Sequence, residues 1–162
     1  MSWDDFIAED HICDPNPQVR VEVAERIDSS RLPEMMLDGD WRVRRAVAKR
    51  VDPSRLPEMM VDEDYWVRVE VARRIDSDRL HEMMTDPEWV VRQEVAQRID
   101  PSRLPEMMCD SHRPVRYMVA CDISPQYLSA MLLREINQSG RTAVLLRSRL
   151  KEADAVEPRI LT

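Results

Sequence analysis

Aspartate and arginine recur along this chain as a pair six positions apart, the most regular pattern of groups that could do chemistry. The pair occurs five times, at Asp14/Arg20, Asp38/Arg44, Asp62/Arg68, Asp86/Arg92 and Asp110/Arg116. A guanidinium group can bind a carboxylate of its own or an adjacent repeat through two parallel hydrogen bonds, and it can also bind phosphate. Because every arginine in the row has a matched carboxylate that would neutralise it, the pattern favours structural pairing.

A row of glutamates is the second candidate for chemistry. Each glutamate stands three residues after an arginine, which is the spacing of ion pairs on a helix surface. Catalytic carboxylates need a pocket and one distinctive pair, so a row of equals predicts solvated charge. We find no nucleophile with an adjacent base, and we expect no enzymatic activity. The glutamates are Glu34, Glu58, Glu82 and Glu106.

Cysteine and histidine are too few and too scattered to predict a metal centre. An iron–sulfur cluster of the [4Fe–4S] type needs four thiolates at close spacing, and a structural zinc site needs four ligands. Cys13 and Cys109 occupy the same repeat position four units apart, and Cys121 follows in the next helix. We therefore expect no cofactor, and an iron–sulfur protein is a disfavoured alternative.

Aromatic residues recur at the start of the predicted helix in the three central repeats. Trp41, Tyr65 and Trp89 share one column, with Trp66 beside it. The first and fifth repeats have a proline and an arginine there, so the fold does not require an aromatic side chain. Tryptophan and tyrosine dominate interface hot spots, which makes these four residues our candidate partner-binding surface. The alternative is a local staple that covers the start of the helix.

Paired methionines form the other apolar column. One methionine of each pair is expected in the core, and the second could form an adaptable apolar strip for a partner. The pairs are Met35/Met36, Met59/Met60, Met83/Met84 and Met107/Met108.

All of these columns follow one period of 24 residues, fixed by Leu32, Leu56, Leu80 and Leu104. A period without insertions indicates one supersecondary unit stacked on itself. The units run 7–30, 31–54, 55–78, 79–102 and 103–126. We divide the chain into a degenerate N-terminal repeat or cap (1–30), regular repeats (31–126), and C-terminal capping helices with a tail (127–162). In the last part, INQSG predicts a helix stop capped by Gly140.

Each repeat contains two helical segments of unequal length. In the second segment, valine or isoleucine falls at i, i+4 and i+8, as in Val43, Val47 and Val51, which predicts an α-helix of roughly ten residues with one buried stripe. The first segment, RLPEMM, holds about one turn, so a 3₁₀ helix is open as an alternative.

This unit, with its DPxxxVRxxVAxR core and short LPxxMM lead, resembles the leucine-rich repeat variant (LRV) family and, more loosely, HEAT-like repeats. The resemblance covers residues 7 to about 126. It implies an all-α, right-handed solenoid in which 3₁₀ helices alternate with α-helices, and it implies that the Asp–Arg pairs form a ladder that holds the stack together. Some family members carry an N-terminal iron–sulfur segment and accompany bacterial nitrogen-fixation genes.

The composition narrows the classes of function. A net charge of −7 and an acidic opening, with five acidic residues before the first arginine, disfavour nucleic-acid binding. No segment approaches the ~20 apolar residues of a membrane span, and the unpaired cysteines indicate a reducing cytoplasm. We predict a non-catalytic scaffold for a protein partner, accessory to a bacterial system such as nitrogen fixation. A nucleic-acid-binding HEAT-like protein is the alternative.

Overall fold

The computed structural model describes residues 11–135 and 140–156, and every regular element within these ranges is a helix. Short 3₁₀ helices alternate with α-helices, as the sequence predicts. The α-helices are α1 (Pro17–Arg26), α2 (Trp41–Ala48), α3 (Tyr65–Arg74), α4 (Trp89–Arg98), α5 (Arg113–Asp122), α6 (Leu128–Glu135) and α7 (Arg141–Val156). The 3₁₀ helices are η1 (Ser29–Met35), η2 (Pro53–Met59), η3 (Ser77–Met83), η4 (Pro101–Met107) and η5 (Pro125–Tyr127).

The 3₁₀ helices are short because their sequence both starts and interrupts them. Asp52, before η2, accepts a hydrogen bond from the N–H of Ser54 at 2.9 Å, and Pro53 supplies the fixed φ of a first helical residue. Four residues later Pro57 removes a backbone donor inside the helix. The same arrangement recurs in η4, so each copy of RLPEM makes one short 3₁₀ segment.

The aspartates of the Asp–Arg pairs are not the N-caps of α2 and α3. The N-cap of α2 is Asp40, whose carboxylate accepts the N–H of Arg42, and the N-cap of α3 is Asp64. The paired Asp38 lies two residues earlier and accepts the N–H of Asp40 at 2.8 Å. It therefore shapes the turn that leads into the helix rather than capping the helix.

The core consists of the repeated apolar columns. Leu32, Leu56, Leu80 and Leu104 are at most 1% exposed, and Val43, Val47 and Val51 are fully buried. The stripe at i, i+4 and i+8 is thus the buried face of the α-helix. The alanine of each unit is buried as well, for example Ala72 with no exposed surface, which lets neighbouring helices approach closely.

The chain divides into two compact units, Met1–Arg79 and Leu80–Thr162. Within the first, α2 packs against α1, α3 and η1, and α3 packs against η2. Within the second, α5 packs against α4, η4 and α7, and α6 packs against α7. Among the described helices, none combines the length and apolar composition needed to cross a bilayer.

Helices α6 and α7 follow the five repeats. The prediction that Gly140 caps the end of a helix is wrong. Helix α6 ends at Glu135, residues 136–139 lie outside the described ranges, and Gly140 directly precedes α7. Its carbonyl accepts the N–H of Val144 at 3.3 Å, and its φ is not positive. Gly140 therefore stands at the beginning of the last helix, whereas a C-terminal glycine cap requires the left-handed conformation.

Candidate interaction surface

The arginines of the Asp–Arg pairs reach forward to the next repeat. In the first unit, Arg20 donates from Nε to Asp38 Oδ2 at 2.7 Å and from Nη2 to Asp38 Oδ1 at 2.8 Å. Its Nη1 donates to the carbonyl of Asp14, in its own repeat, at 2.7 Å. One guanidinium therefore ties together the turns of two successive repeats.

Arg44 repeats this arrangement one unit later in a more buried setting. It binds Asp62 through Nε at 2.7 Å and Nη2 at 3.0 Å, and the carbonyl of Asp38 through Nη1 at 2.7 Å. Both side chains of the Arg44–Asp62 pair are less than a tenth exposed. In the same column, Arg68 is buried and donates to the carbonyl of Asp62 at 2.7 Å.

In the second unit the series ends on a glutamate that the sequence did not single out. Arg92 binds Asp110 at 2.6 and 3.0 Å, and it also binds the carbonyl of Asp86. Arg116 instead donates to Glu135, at the end of α6, at 2.5 Å. Glu135 is 2% exposed. Its carboxylate takes the place of the aspartate that the next repeat supplies to Arg20, Arg44 and Arg92.

Two of the ladder carboxylates, Asp38 and Asp110, are held in their ionised form. Burial raises the pKa of Asp110, but the hydrogen bonds from Arg92 and from the N–H of His112, with the positive charge of Arg92, lower it more. The net result is a pKa below the ordinary value. The same opposing causes act on Asp38, where Arg20 is the partner, and its pKa is also lowered. The Arg20–Asp38 and Arg92–Asp110 pairs are therefore ion pairs above the acid range.

A second column of arginines, which the residue types did not reveal, caps the C-terminal end of the α-helix in the preceding repeat. Arg50 donates to the carbonyls of Ala24 and Ile27 at 2.7 and 2.9 Å, and Arg74 donates to those of Ala48 and Val51 at 2.6 and 2.8 Å. In the second unit, Arg149 of α7 donates to the carbonyl of Ala120. These arginines satisfy carbonyls at the helix C-terminus that have no intrahelical partner.

The predicted aromatic residues lie at the first turn of their helices and are half-buried. In the first unit, Trp41 begins α2, Tyr65 begins α3, and the rings of Tyr65 and Trp66 are 4.9 Å apart. Arg45 lies over the Trp66 ring at 5.3 Å and also binds the buried Glu70 at 2.8 Å. Part of this aromatic surface is thus engaged within the unit.

Trp89 has a similar environment in the second unit. It begins α4 and is half-buried, and its ring stacks on that of His112 at 5.9 Å with an interplanar angle of 8°. His112 is the residue that precedes α5. The stack joins the helix starts of two successive repeats, which is the stapling role that we considered as the alternative for this column.

The turn before each α-helix exposes a position that the sequence analysis did not propose as a partner-binding site. Leu37 is 94% exposed and Val61 is 88% exposed, and they occupy the same repeat position in the first unit. Isolated exposed apolar residues are ordinary, but two at one repeat position form a pattern. The equivalent residues elsewhere are Cys13, Thr85 and Cys109, all exposed. In the sequence, this position is marked by a residue type that changes from one repeat to the next, as expected where stacking does not fix the side chain.

A groove between successive repeats adjoins this position, and it occurs in both units. In the first unit a cleft of about 410 Å³ lies between the turn at Cys13 and the segment that contains Met35 and Leu37. In the second unit a cleft of about 570 Å³ lies between the turn at Thr85 and the segment that contains Met107 and Cys109. Every residue that lines the first cleft has its counterpart 72 positions later in the second. The groove is therefore a regular product of stacking.

The remaining candidates do not form sites of their own. The first methionine of each pair is buried, and the second is buried or half-buried, so the pairs belong to the core and its margin. The exposed ion pairs Arg31–Glu34, Arg55–Glu58 and Arg103–Glu106 are confirmed. The three cysteines are free thiols. Residues 11–135 and 140–156 contain no group of three or more histidine, cysteine or acidic side chains placed to hold a metal.

The fold and these ladders define a class of protein, the helical repeat solenoids. The chain is similar to a solved leucine-rich repeat variant described as having a novel repetitive structural motif, with 32% identity and a TM-score of 0.82 over 91% of this chain. The resemblance predicted from the sequence is thus confirmed, and the chain has the LRV fold. It spans 61% of the length of that relative.

An engineered protein of known structure shares the fold alone, at 10% identity and a TM-score of 0.51 over 94% of this chain and 96% of its own length. Scans against family models and curated proteins found no match.

Proposed function

We propose that this protein is a non-catalytic repeat scaffold that binds an extended segment of a protein partner along the turn edge of its first unit. The turn edge is defined as Leu37 and Val61 together with Trp41, Tyr65 and Trp66, which follow the same two turns. The observation that carries the proposal is the near-complete exposure of Leu37 and Val61 at one repeat position. Exposed apolar side chains in register offer a partner two anchoring points at a regular spacing.

The spacing of the repeats supports one form of partner segment. Packed helices are about 10 Å apart, and an extended chain in the polyproline II conformation rises about 3.1 Å per residue with three residues per turn, so every third side chain faces the same way. A segment that crosses successive repeats therefore places every third residue at a new groove. The groove beside Leu37 is lined by Ile12 and Met35 among its apolar groups. We expect the partner to carry apolar residues three positions apart in an extended conformation.

The arginine rows support a protein partner over a nucleic acid. Arg20, Arg44 and Arg92 bind carboxylates, and Arg50 and Arg74 bind carbonyls. Groups engaged in this way are poorly available to phosphates, which dominate nucleic-acid affinity. The unpaired cysteines favour a cytoplasmic location. The family resemblance suggests a role beside a bacterial system such as nitrogen fixation, and proteins of that system are the first partners to test.

The test is selection of peptides by display on the full-length protein, followed by titration of an enriched peptide by calorimetry. Enriched sequences are expected to share two apolar residues three positions apart. The variant L37S/V61S should weaken binding about tenfold or more, because both anchors lose their apolar contact. The matched control is Leu133→Ser, which removes an exposed leucine of the second unit. Equal binding by the wild type and L37S/V61S would contradict the proposal.

A further inference from the structure

Helix α7 presents a stripe of basic residues on the face opposite to its buried side. Ala143 and Leu146 are fully buried against the second unit. The other face carries Arg141, Val144, Arg147 and Lys151, with Glu152 and Asp154 at its C-terminal end, and all six are exposed. Their positions fall on one side of a helix with 3.6 residues per turn. We refer to the first four of these residues as the C-terminal basic stripe.

The stripe differs from the repeats in the way its charges are used. Most arginines of the repeats bind a carboxylate or a carbonyl, as described for both ladder columns. Within the described ranges, Arg141, Arg147 and Lys151 form no ion pair. At the centre of the stripe, Val144 is 65% exposed. An apolar side chain that lies between arginines without an ion-pair partner suits a ligand that is both acidic and apolar.

The first ten residues of the sequence have that chemistry. Residues 1–10 carry four acidic residues and no lysine or arginine, and they include three large apolar side chains, Trp3, Phe6 and Ile7. This segment contributes −4 to the net charge of −7, so the much longer remainder of the chain contributes only −3. Carboxylates can bind the free guanidinium groups, and the aromatic rings can pack on them through cation–π contacts.

We propose that the C-terminal basic stripe binds the acidic segment 1–10 of a second copy of this chain. The contact joins two different surfaces and is therefore heterologous, so it produces closed rings or open chains of subunits. It is carried largely by exposed charges and weakens as salt is added. This self-association does not depend on the proposed turn edge, because it uses different residues.

Sedimentation of the full-length protein over a concentration series tests the proposal. The wild type is expected to associate at low salt and to dissociate as sodium chloride is added. The variant R141E/R147E/K151E should weaken association at least about tenfold, since three attractive charges become repulsive. The control R26E/K49E/R113E changes the net charge equally, at exposed positions outside the stripe. It should retain most of the association.

A charge exchange separates this contact from a general effect of charge. The variant D4K/D5K/E9K/D10K should not associate with itself, and neither should the stripe variant. A mixture of the two should form complexes again, because an acidic stripe then meets a basic segment. The proposal is overturned if all proteins remain monomeric, or if the mixture does not recover. It is also overturned if the stripe variant associates with itself as strongly as the wild type does and loses only its binding to DNA or to phosphatidylserine vesicles.

Discussion

The two grooves between repeats are built in the same way but differ at their edges. We call the residues that hold successive repeats together the frame, and the exposed residues at the edge of each groove the rim. Each groove has a ladder arginine bound to the next aspartate, Arg20 with Asp38 in the first unit and Arg92 with Asp110 in the second. At the rim, the first groove has Leu37 followed two positions later by a glycine. The second has Cys109 and, two positions later, Ser111. One frame thus supports an apolar rim and a polar rim.

This difference separates the demands of stacking from those of recognition. The positions that agree bury charge, fill the core or close a turn, and each has partners that any copy of the unit would need. The rim side chains of Leu37 and Val61 contact mostly solvent, so the fold places little constraint on their identity. Changes to the frame should therefore alter stability, and changes to the rim should alter binding.

The largest effect is expected from removing a ladder arginine. Arg44→Ala leaves the buried carboxylate of Asp62 without its main partner and the carbonyl of Asp38 without a donor. Breaking a buried ion pair costs about 3–5 kcal/mol. We expect a decrease of this size in the free energy of unfolding measured with urea, and a similar decrease for Arg92→Ala.

The control for this prediction is Arg55→Ala, which removes an exposed partner of Glu58. An exposed pair contributes roughly 0–1 kcal/mol, so the change should be small. If Arg44→Ala and Arg55→Ala destabilise the protein equally, the ladder does not hold the frame together.

Acid should weaken the frame through the ladder carboxylates, and this is the intermediate effect. The pKa values of Asp38 and Asp110 are lowered in the folded protein. Their stabilisation is therefore fully present above the ordinary aspartate pKa and is lost as the pH falls through the lowered folded pKa. We expect Asp110→Asn to be less stable than the wild type by roughly 1.5–3 kcal/mol at pH 6. The difference should shrink on acidification towards pH 2, as followed by urea unfolding at each pH. A difference independent of pH would contradict ionic pairing.

The smallest effect on stability is expected at the rim. Exchanging the two rim residues, Leu37→Cys with Cys109→Leu, leaves both frames intact. Surface substitutions away from structural features usually change stability by about 0.5 kcal/mol or less. Thermal unfolding should be nearly unchanged, while binding of a peptide selected on the full-length wild type should weaken. A large loss of stability would show that the rim belongs to the frame.

The sequence predicts the repeated parts of the fold well, because the period and the helix patterns recur in each copy. It does not show the direction of the ladder. A spacing of six residues is compatible with pairing inside one repeat, whereas Arg20 reaches Asp38, 18 residues away. The partners of Arg50 and Arg74 are backbone carbonyls, which no residue type reveals. Glu135 replaces an aspartate where the pattern has ended, so the repeat alone could not identify it.

The solvent exposure of the rim residues could not be predicted from residue types either. Leucine and valine suggest burial, and only the course of the turn decides that Leu37 and Val61 face solvent. The aromatic residues at the helix starts were identified from sequence, and they remain a prediction as binding residues. The contacts of Trp66 with Arg45 and of Trp89 with His112 are consistent with a partly structural role.

The capping of each helix by an arginine of the following repeat has a consequence for synthesis on the ribosome. The carbonyls of Ala24 and Ile27 are satisfied by Arg50, about one full repeat downstream. A repeat that has just left the exit tunnel is therefore incomplete until the next one emerges. During synthesis we expect folding to advance from the N-terminus one repeat at a time, with one unfinished repeat at the growing end. That end closes only when Glu135 and Arg149 have been made, so a stalled chain would expose an open stack to its neighbours.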